Sequence, residues 1–96
     1  MASNSQEFYV IDAVDKHNNI VRYLAFDEYN AELTMTSDVD TCLHFKTYDE
    51  LARWLSAYKE EIKKKIKNQF SEEYNNFHVA KIIRTKLLLE RLEDLD

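Results

Sequence analysis

The stretch that decides the fold is TSDVDTCLHFKTYDELARWL, residues 36–55. It holds two helix-start signals with no glycine or proline between them. Ser37 or Asp38 can cap a short helical turn, because their side-chain oxygens can accept a backbone N–H bond. Thr47 gives the second signal, since an acid three residues later, Glu50, completes a capping box. The stretch predicts a rapid transition from strands to a long helix.

Three β-type segments precede this stretch. FYVIDAV (8–14) and IVRYLAF (20–26) predict a hairpin, and AELTMT (31–36) alternates as a half-buried third strand does. The chain has no glycine, so we expect Asn or Asp at every left-handed backbone position. The side chains expected to face the helices are Val10, Leu24, Phe26, Leu33 and Phe45.

Helical periodicity follows Thr47. Apolar residues recur at steps of three and four from Leu51 to Phe70, which predicts a helix over 47–70. A second helix is predicted from about residue 72 or 77 to residue 93. Residues expected to reach the core from the two helices are Leu51, Trp54, Leu55, Tyr58, Ile82 and Ile83.

The fold class predicted from these elements is α+β. A three-stranded antiparallel sheet, with a short fourth strand at Phe45 as an alternative, would be covered by two helices. We expect one domain over residues 7–96 and a flexible tail over residues 1–6.

Composition excludes several classes of site. Without glycine the chain cannot build a P-loop, a dinucleotide-binding fingerprint or a G-x-S-x-G elbow. A single cysteine, Cys42, cannot form an internal disulfide, and no apolar run approaches the roughly 18 residues of a membrane span. We therefore expect a cytoplasmic protein that has no membrane association.

Catalysis, a metal site, a cofactor and a small-molecule substrate are not expected. Cys42-x-His44 is the one local pair of metal-binding type, whereas zinc takes four ligands. The paired carboxylates are sequence neighbours that point apart, and none lies in an apolar run that would raise its pKa.

Three surfaces are candidates for binding macromolecules. Ten acids oppose three bases in residues 1–50, and an acidic row could imitate phosphates; its residues are Asp27, Glu28, Glu32, Asp38 and Asp40. An apolar stripe of Leu88, Leu92 and Leu95 lies opposite Ile82 and Ile83 on the predicted last helix, so the helix kinks or this stripe meets a second copy or a target. Lys63, Lys64 and Lys67 could contact phosphates. Ordinary solvated surface is the competing interpretation of both charged sets.

The stretch also resembles a pattern of small proteins from bacteriophages and mobile elements of Gram-positive bacteria, D-x-x-x-A-x-x-F-x-T-x-E-E-A. The matching residues are Asp38, Cys42, Phe45, Thr47, Asp49, Glu50 and Leu51, with Cys42 and Leu51 where the pattern has alanine. The resemblance covers about 20 residues and transfers no catalytic residue. It implies a small host-directed binding protein, in the manner of phage inhibitors of bacterial defence such as anti-CRISPR proteins.

Three functions remain open at this point. The first is a non-enzymatic inhibitor or adaptor that occludes a host protein, for example a nucleic-acid-binding defence enzyme, in the cytoplasm of the host cell. The second is a homodimeric structural or regulatory module joined through the last helix. The third, a nucleic-acid accessory protein using the lysines, is disfavoured by the net charge of −5.

Overall fold

The computed structural model describes residues 7–86 and 88–95, which form five strands and one long helix. The elements are β1 (Glu7–Asp15), β2 (Val21–Asp27), β3 (Glu32–Thr36), α1 (Tyr48–Asn68), β4 (Tyr74–Ile83) and β5 (Leu88–Asp94). The strands pair antiparallel in the order β3-β2-β1-β4-β5. The α+β class is confirmed. The predicted tail over residues 1–6 lies outside the described residues.

The prediction of a second helix is wrong, because β4 and β5 occupy that segment. Phe77 and Val79 face α1, whereas Ala80 and Ile82 are buried on the opposite face of the sheet. A strand buried on both faces has no alternation of apolar and polar residues, so its sequence is easily mistaken for a helix. The sheet therefore has five strands in the part of the chain that the structure describes. Phe45 contributes an isolated bridge to Tyr9 in place of a fourth strand.

Helix α1 agrees with its sequence signals. Thr47 is its N-cap, and the Thr47 Oγ1 accepts a hydrogen bond from the Glu50 N–H at 3.2 Å. Within the described residues, no helix is long and apolar enough to cross a membrane. The short helical turn predicted after Asp38 is a single hydrogen-bonded turn, in which the Thr41 N–H donates to the Asp38 carbonyl at 3.2 Å.

The core is divided between the two faces of the sheet. On the side of α1 lie Ile11, Ala13, Leu24, Leu51, Phe70, Phe77 and Val79. On the opposite side lie Phe8, Val10, Ala25, Cys42, Ala80 and Ile82. The predicted places of Val10 and Ile82 beside the helices are therefore wrong. In the pairing of β1 with β2, Asp12 lies opposite Tyr23. A shift of this pairing by one residue would move the side chains of one strand to the other face of the sheet.

The segment between β3 and α1 is inserted between β1 and β2. Those two strands pair over only three residue pairs, Asp12–Val14 with Val21–Tyr23. Beyond them, the Leu24 carbonyl accepts from the Leu43 N–H at 2.9 Å, and Tyr9 exchanges two backbone hydrogen bonds with Phe45. This crossing supplies apolar side chains to both cores.

The β1–β2 turn and the β2–β3 turn use the same pattern, Asp-x-x-Asn. In each turn the aspartate Oδ1 accepts backbone N–H bonds from the second and third residues after it, at 2.8–3.3 Å. A residue with positive φ follows, Asn19 (55°) in the first turn and Ala31 (53°) in the second. The expectation of Asn or Asp at left-handed positions is right for Asn19 and Asn76 and wrong for Ala31.

Replacing Ala31 by glycine is predicted to stabilise the protein. Alanine in the left-handed region costs roughly 1 kcal/mol, which glycine does not incur. We expect Ala31→Gly to raise the free energy of unfolding by about 0.5–1 kcal/mol in urea titrations. The matched control is Ala57→Gly on the exposed side of α1, which should lower that free energy by about 1 kcal/mol. A loss of stability from Ala31→Gly would contradict this account of the turn.

Candidate functional site

A single helix cannot cover the face of a five-stranded sheet. Five strands spaced by about 4.8 Å span roughly 19 Å between the edge axes, whereas a helix with its side chains is about 10 Å wide. Helix α1 covers the centre of the sheet, where Leu51 and Ile62 are buried. One groove therefore remains between α1 and the β3 side of the sheet, and a second between α1 and β5.

The groove on the β3 side is apolar and has exposed aromatic rings. It encloses about 260 Å³ and is lined by Phe26, Leu33, Leu43, Trp54, Tyr58 and Glu61. Phe26 is 48% exposed and Tyr58 43% exposed. The rings of Phe45, Trp54 and Tyr58 form a row along α1, with centroid separations of 5.7 and 5.3 Å. We call the six lining residues the aromatic groove.

Acidic residues lie at the end of the aromatic groove. Glu61 is part of its wall. Asp27 and Glu32 form the last pair of the β2–β3 hairpin, directly beyond the pair of Phe26 with Leu33. The Glu32 carboxylate contacts the Lys65 Nζ at 3.3 Å. Hydrogen bonds, led by the one from the Asn30 side chain, lower the pKa of Asp27, so its carboxylate stays charged in mildly acidic solution. Glu28 is exposed in the same turn, beside the fully exposed Tyr29.

The predicted acidic row is divided into two groups. Asp27, Glu28 and Glu32 lie in or beside the β2–β3 turn, next in the chain to Phe26 and Leu33, whereas Asp38 and Asp40 follow the far end of β3, which spans about 17 Å. Asp40 Oδ1 accepts from the Arg84 guanidinium at 2.8 Å, and Asp38 Oδ1 accepts from the Asp40 N–H at 3.0 Å. The five carboxylates therefore do not form one continuous surface.

The three predicted leucines lie on or beside strand β5. Leu88 and Leu92 are 44% and 43% exposed, whereas Leu95 packs against the core under α1. Leu92 is the extra residue where the pairing of β4 with β5 shifts register, because Val79 pairs with Glu93 and Ala80 with Arg91. The helical stripe proposed from sequence therefore does not exist as such.

The three predicted lysines are exposed on α1. Lys63, Lys64 and Lys67 occupy the solvent side of its second half. Lys64 borders a shallow hollow together with Glu61 and Lys65. An acidic side chain, Glu61, thus borders this basic group.

Sequence reasoning missed an ion pair between a buried carboxylate and a partly exposed arginine on the sheet face opposite α1. Asp12 has no exposed surface, and its Oδ2 accepts from Nε and Nη2 of Arg91 at 3.1 and 2.9 Å. This contact passes over β4 and ties the edge strand β5 to β1. Burial raises the pKa of Asp12, and the bond and charge of Arg91 oppose that rise. The acid inside FYVIDAV was the available signal, since a buried carboxylate needs a partner.

His78 lies between two acids in the same cluster. Its Nδ1 is 3.8 Å from Asp12 Oδ1, which is too long for a hydrogen bond, and its Nε2 is 3.5 Å from Asp94 Oδ1. Neither Asp12 Oδ1 nor His78 Nδ1 has a hydrogen-bond partner among the described residues. Across those residues, no group of three or more His, Cys, Asp or Glu side chains is arranged to hold a metal ion.

Cys42 has the environment of a core residue. Its thiol donates to the Val39 carbonyl at 3.2 Å, and burial raises its pKa to about 12. The His44 ring faces the Cys42 backbone carbonyl through Nδ1 at 3.0 Å. A thiol with this pKa is protonated at neutral pH, so it is a poor nucleophile and a poor metal ligand.

Comparisons with protein-family models, with curated proteins and with solved structures gave no match for this chain.

Removing Arg91 is predicted to make stability depend on pH. Arg91→Met leaves the Asp12 carboxylate buried without its main cation, so we expect a loss of about 2–3 kcal/mol at neutral pH. The loss is below the roughly 3–5 kcal/mol of a fully buried pair because the Arg91 side chain is 38% exposed. The folded-state pKa of Asp12 rises further in this variant. Stability therefore recovers as pH falls through that pKa, where folding takes up a proton.

The control for this prediction is the double variant Asp12→Asn with Arg91→Met. It keeps His78 and removes the buried charge, so we expect it to recover more than half of the loss and to lack the additional pH dependence. Urea unfolding at about pH 5 and about pH 7.5 measures both effects. Equal destabilisation of the single variant at the two pH values would show that the ionised Asp12 is not its cause.

Proposed function

We propose that this chain is a non-enzymatic protein-binding module, an inhibitor or adaptor encoded by a bacteriophage or mobile element. It acts by occluding a surface of a host protein, and it makes or breaks no covalent bond. The observation that supports this proposal is the aromatic groove, which leaves Phe26 and Tyr58 about half exposed and has Glu61 in its wall.

Aromatic side chains at the edge of an open groove are suited to protein recognition. Tyr, Trp and Phe are enriched where binding energy concentrates, because a rigid ring buries a large area for little loss of conformational entropy. Here Trp54 fixes the wall and Tyr58 extends it towards solvent, with the two ring centroids 5.3 Å apart. A partner side chain that enters the groove would bury the exposed parts of Phe26 and Tyr58 without disturbing the core.

The acids at or near the groove favour a partner whose binding surface is basic. Glu61 lines the groove, and Asp27, Glu28 and Glu32 lie at its end, with Lys65 as the cation in contact with Glu32. A basic surface with an apolar residue at its centre is complementary to this arrangement. Enzymes that bind nucleic acids carry such basic clefts, so a defence enzyme of this type is a partner of the expected chemistry.

The test uses a host protein captured on this chain from a bacterial lysate, identified by mass spectrometry and then purified. We expect Tyr58→Ala to weaken the calorimetric affinity about 30-fold, which corresponds to about 2 kcal/mol at an interface hot spot. Affinity should also fall as salt is raised, because the acids contribute through exposed charges. A saturating amount of this chain should prevent the partner from binding its own nucleic-acid ligand.

The matched control is Tyr48→Ala. Tyr48 is 41% exposed on the same helix, but it lines the other groove, where its hydroxyl donates to Glu93. We expect this variant to bind within about threefold of the unmodified protein, a difference below 1 kcal/mol. Equal effects of the two tyrosines, or none from Tyr58, would rule out the aromatic groove as the binding surface.

A homodimer is the second candidate, favoured by the exposure of Leu88 and Leu92 on an edge strand. Side-chain contact between two copies through these leucines would bury both of them. Sedimentation over a wide range of protein concentrations should then show a dimer, and Leu88→Glu with Leu92→Glu should dissociate it. A monomer at every concentration would eliminate this candidate.

A further inference from the structure

The two edges of the sheet differ in their capacity to accept another strand. At the β5 edge, the extra residue Leu92 interrupts the register, and four of the seven residues are charged: Glu90, Arg91, Glu93 and Asp94. Bulges and charges are the devices that protect edges from pairing. Strand β3, ELTMT, has one charge and pairs with β2 without a register shift from Glu32 to Thr36.

The outer edge of β3 has no backbone partner within residues 7–86 and 88–95. Each of its residues pairs with β2 on one side, and β3 is the terminal strand in the sheet order. The backbone hydrogen bonds of the described loops and turns involve none of the residues from Glu32 to Thr36. A row of backbone donors and acceptors is therefore open to an added strand.

This open edge borders the aromatic groove. Leu33 of β3 lines the groove directly, and Phe26 is its cross-strand partner on β2. An added strand would lie about 4.8 Å outside β3, and every second side chain of that strand would point to the face that carries α1. Those side chains would approach Leu33 from the open side of the groove, opposite the wall formed by Trp54 and Tyr58.

We propose that the partner presents an extended segment that adds to the outer edge of β3 as a sixth strand. This inference rests on the proposed function, and it specifies the segment as one of alternating apolar and basic residues. The apolar side chains enter the aromatic groove. The basic side chains alternate with them and point to the opposite face of the sheet, and those nearest the β2–β3 turn approach its acids. Backbone pairing at an edge combined with a side-chain groove is an established means of recognising extended peptides.

The first test uses a display library of peptides of about seven residues, long enough to span β3, in which apolar and Lys or Arg positions alternate. A length-matched library with Asp or Glu at the basic positions is the control. We expect the basic library alone to yield binders. Failure of the basic library, or equal enrichment of the acidic one, would overturn the inference.

The second test separates backbone pairing from side-chain contacts. The best selected peptide is resynthesised with N-methyl groups at alternate amides, in the two possible phases, which leaves its side chains unchanged. We expect one phase to lose about tenfold or more in affinity, because its methyl groups replace the amide hydrogens that donate to β3. Amide exchange of β3 should slow on binding of the unmodified peptide. Full affinity of both methylated forms would overturn the inference.

Two variants distinguish failure of this inference from failure of the proposed function. Tyr58→Ala should weaken the selected peptide and the purified host protein alike, whereas Leu92→Glu on the opposite edge should affect neither. If Tyr58→Ala weakens the host protein while β3 exchange is unchanged in that complex, strand addition is wrong and the groove proposal stands. If Tyr58→Ala leaves the host protein unaffected, both are wrong.

Discussion

The constraint on which the rest of this structure depends is that β1 is buried on both of its faces. Val10 and Ile11 point in opposite directions, and both are almost completely buried. One long helix can cover only one of those faces. The other face of β1 is covered by the crossing segment between β3 and α1, which places Cys42 beside Val10. The same segment adds Phe45 to the core under α1.

That crossing explains why residues 36–55 contain two helix-start signals and neither glycine nor proline. The segment leaves β3 through a turn at Asp38, bonds to Leu24 and Tyr9 in the gap between β1 and β2, and begins α1 at Thr47. Each step fixes its backbone through a side-chain or backbone hydrogen bond. Glycine and proline are therefore not required to direct the chain here.

The exposed aromatic surface follows from the same constraint. Because α1 lies over the centre of the sheet, where Leu51 and Ile62 are buried, the side chains on β2 and β3 nearest the edge receive incomplete cover. Phe26 and Tyr58 are therefore core-type residues at the border of the core. The outer edge of β3, which has no strand partner among the described residues, lies next to them, so an apolar groove and an open backbone edge occur together.

On the opposite face, the ion pair between Asp12 and Arg91 fastens the last strand. In the described part of the chain, strand β5 pairs with β4 alone, and its bulge at Leu92 weakens that pairing. The Arg91 side chain reaches over β4 to a carboxylate on β1, which ties β5 to a second strand. This ion pair therefore holds the edge strand β5 in place, whereas the aromatic groove on the other side of the sheet is left open.

The sequence by itself determined the elements whose signals are local: the first hairpin, β3, the Thr47 cap and helix α1. It also placed Phe26 of the sheet and Tyr58 of the helix where sheet and helix meet. It could not show that they would be exposed, because exposure depends on where α1 crosses the sheet. Only the tertiary structure decided that residues 74–83 and 88–94 form two strands, since β4 is buried on both faces and so lacks the alternation by which a strand is recognised. It also decided that Asp12 meets Arg91, because a contact across 79 positions of the chain leaves no local pattern.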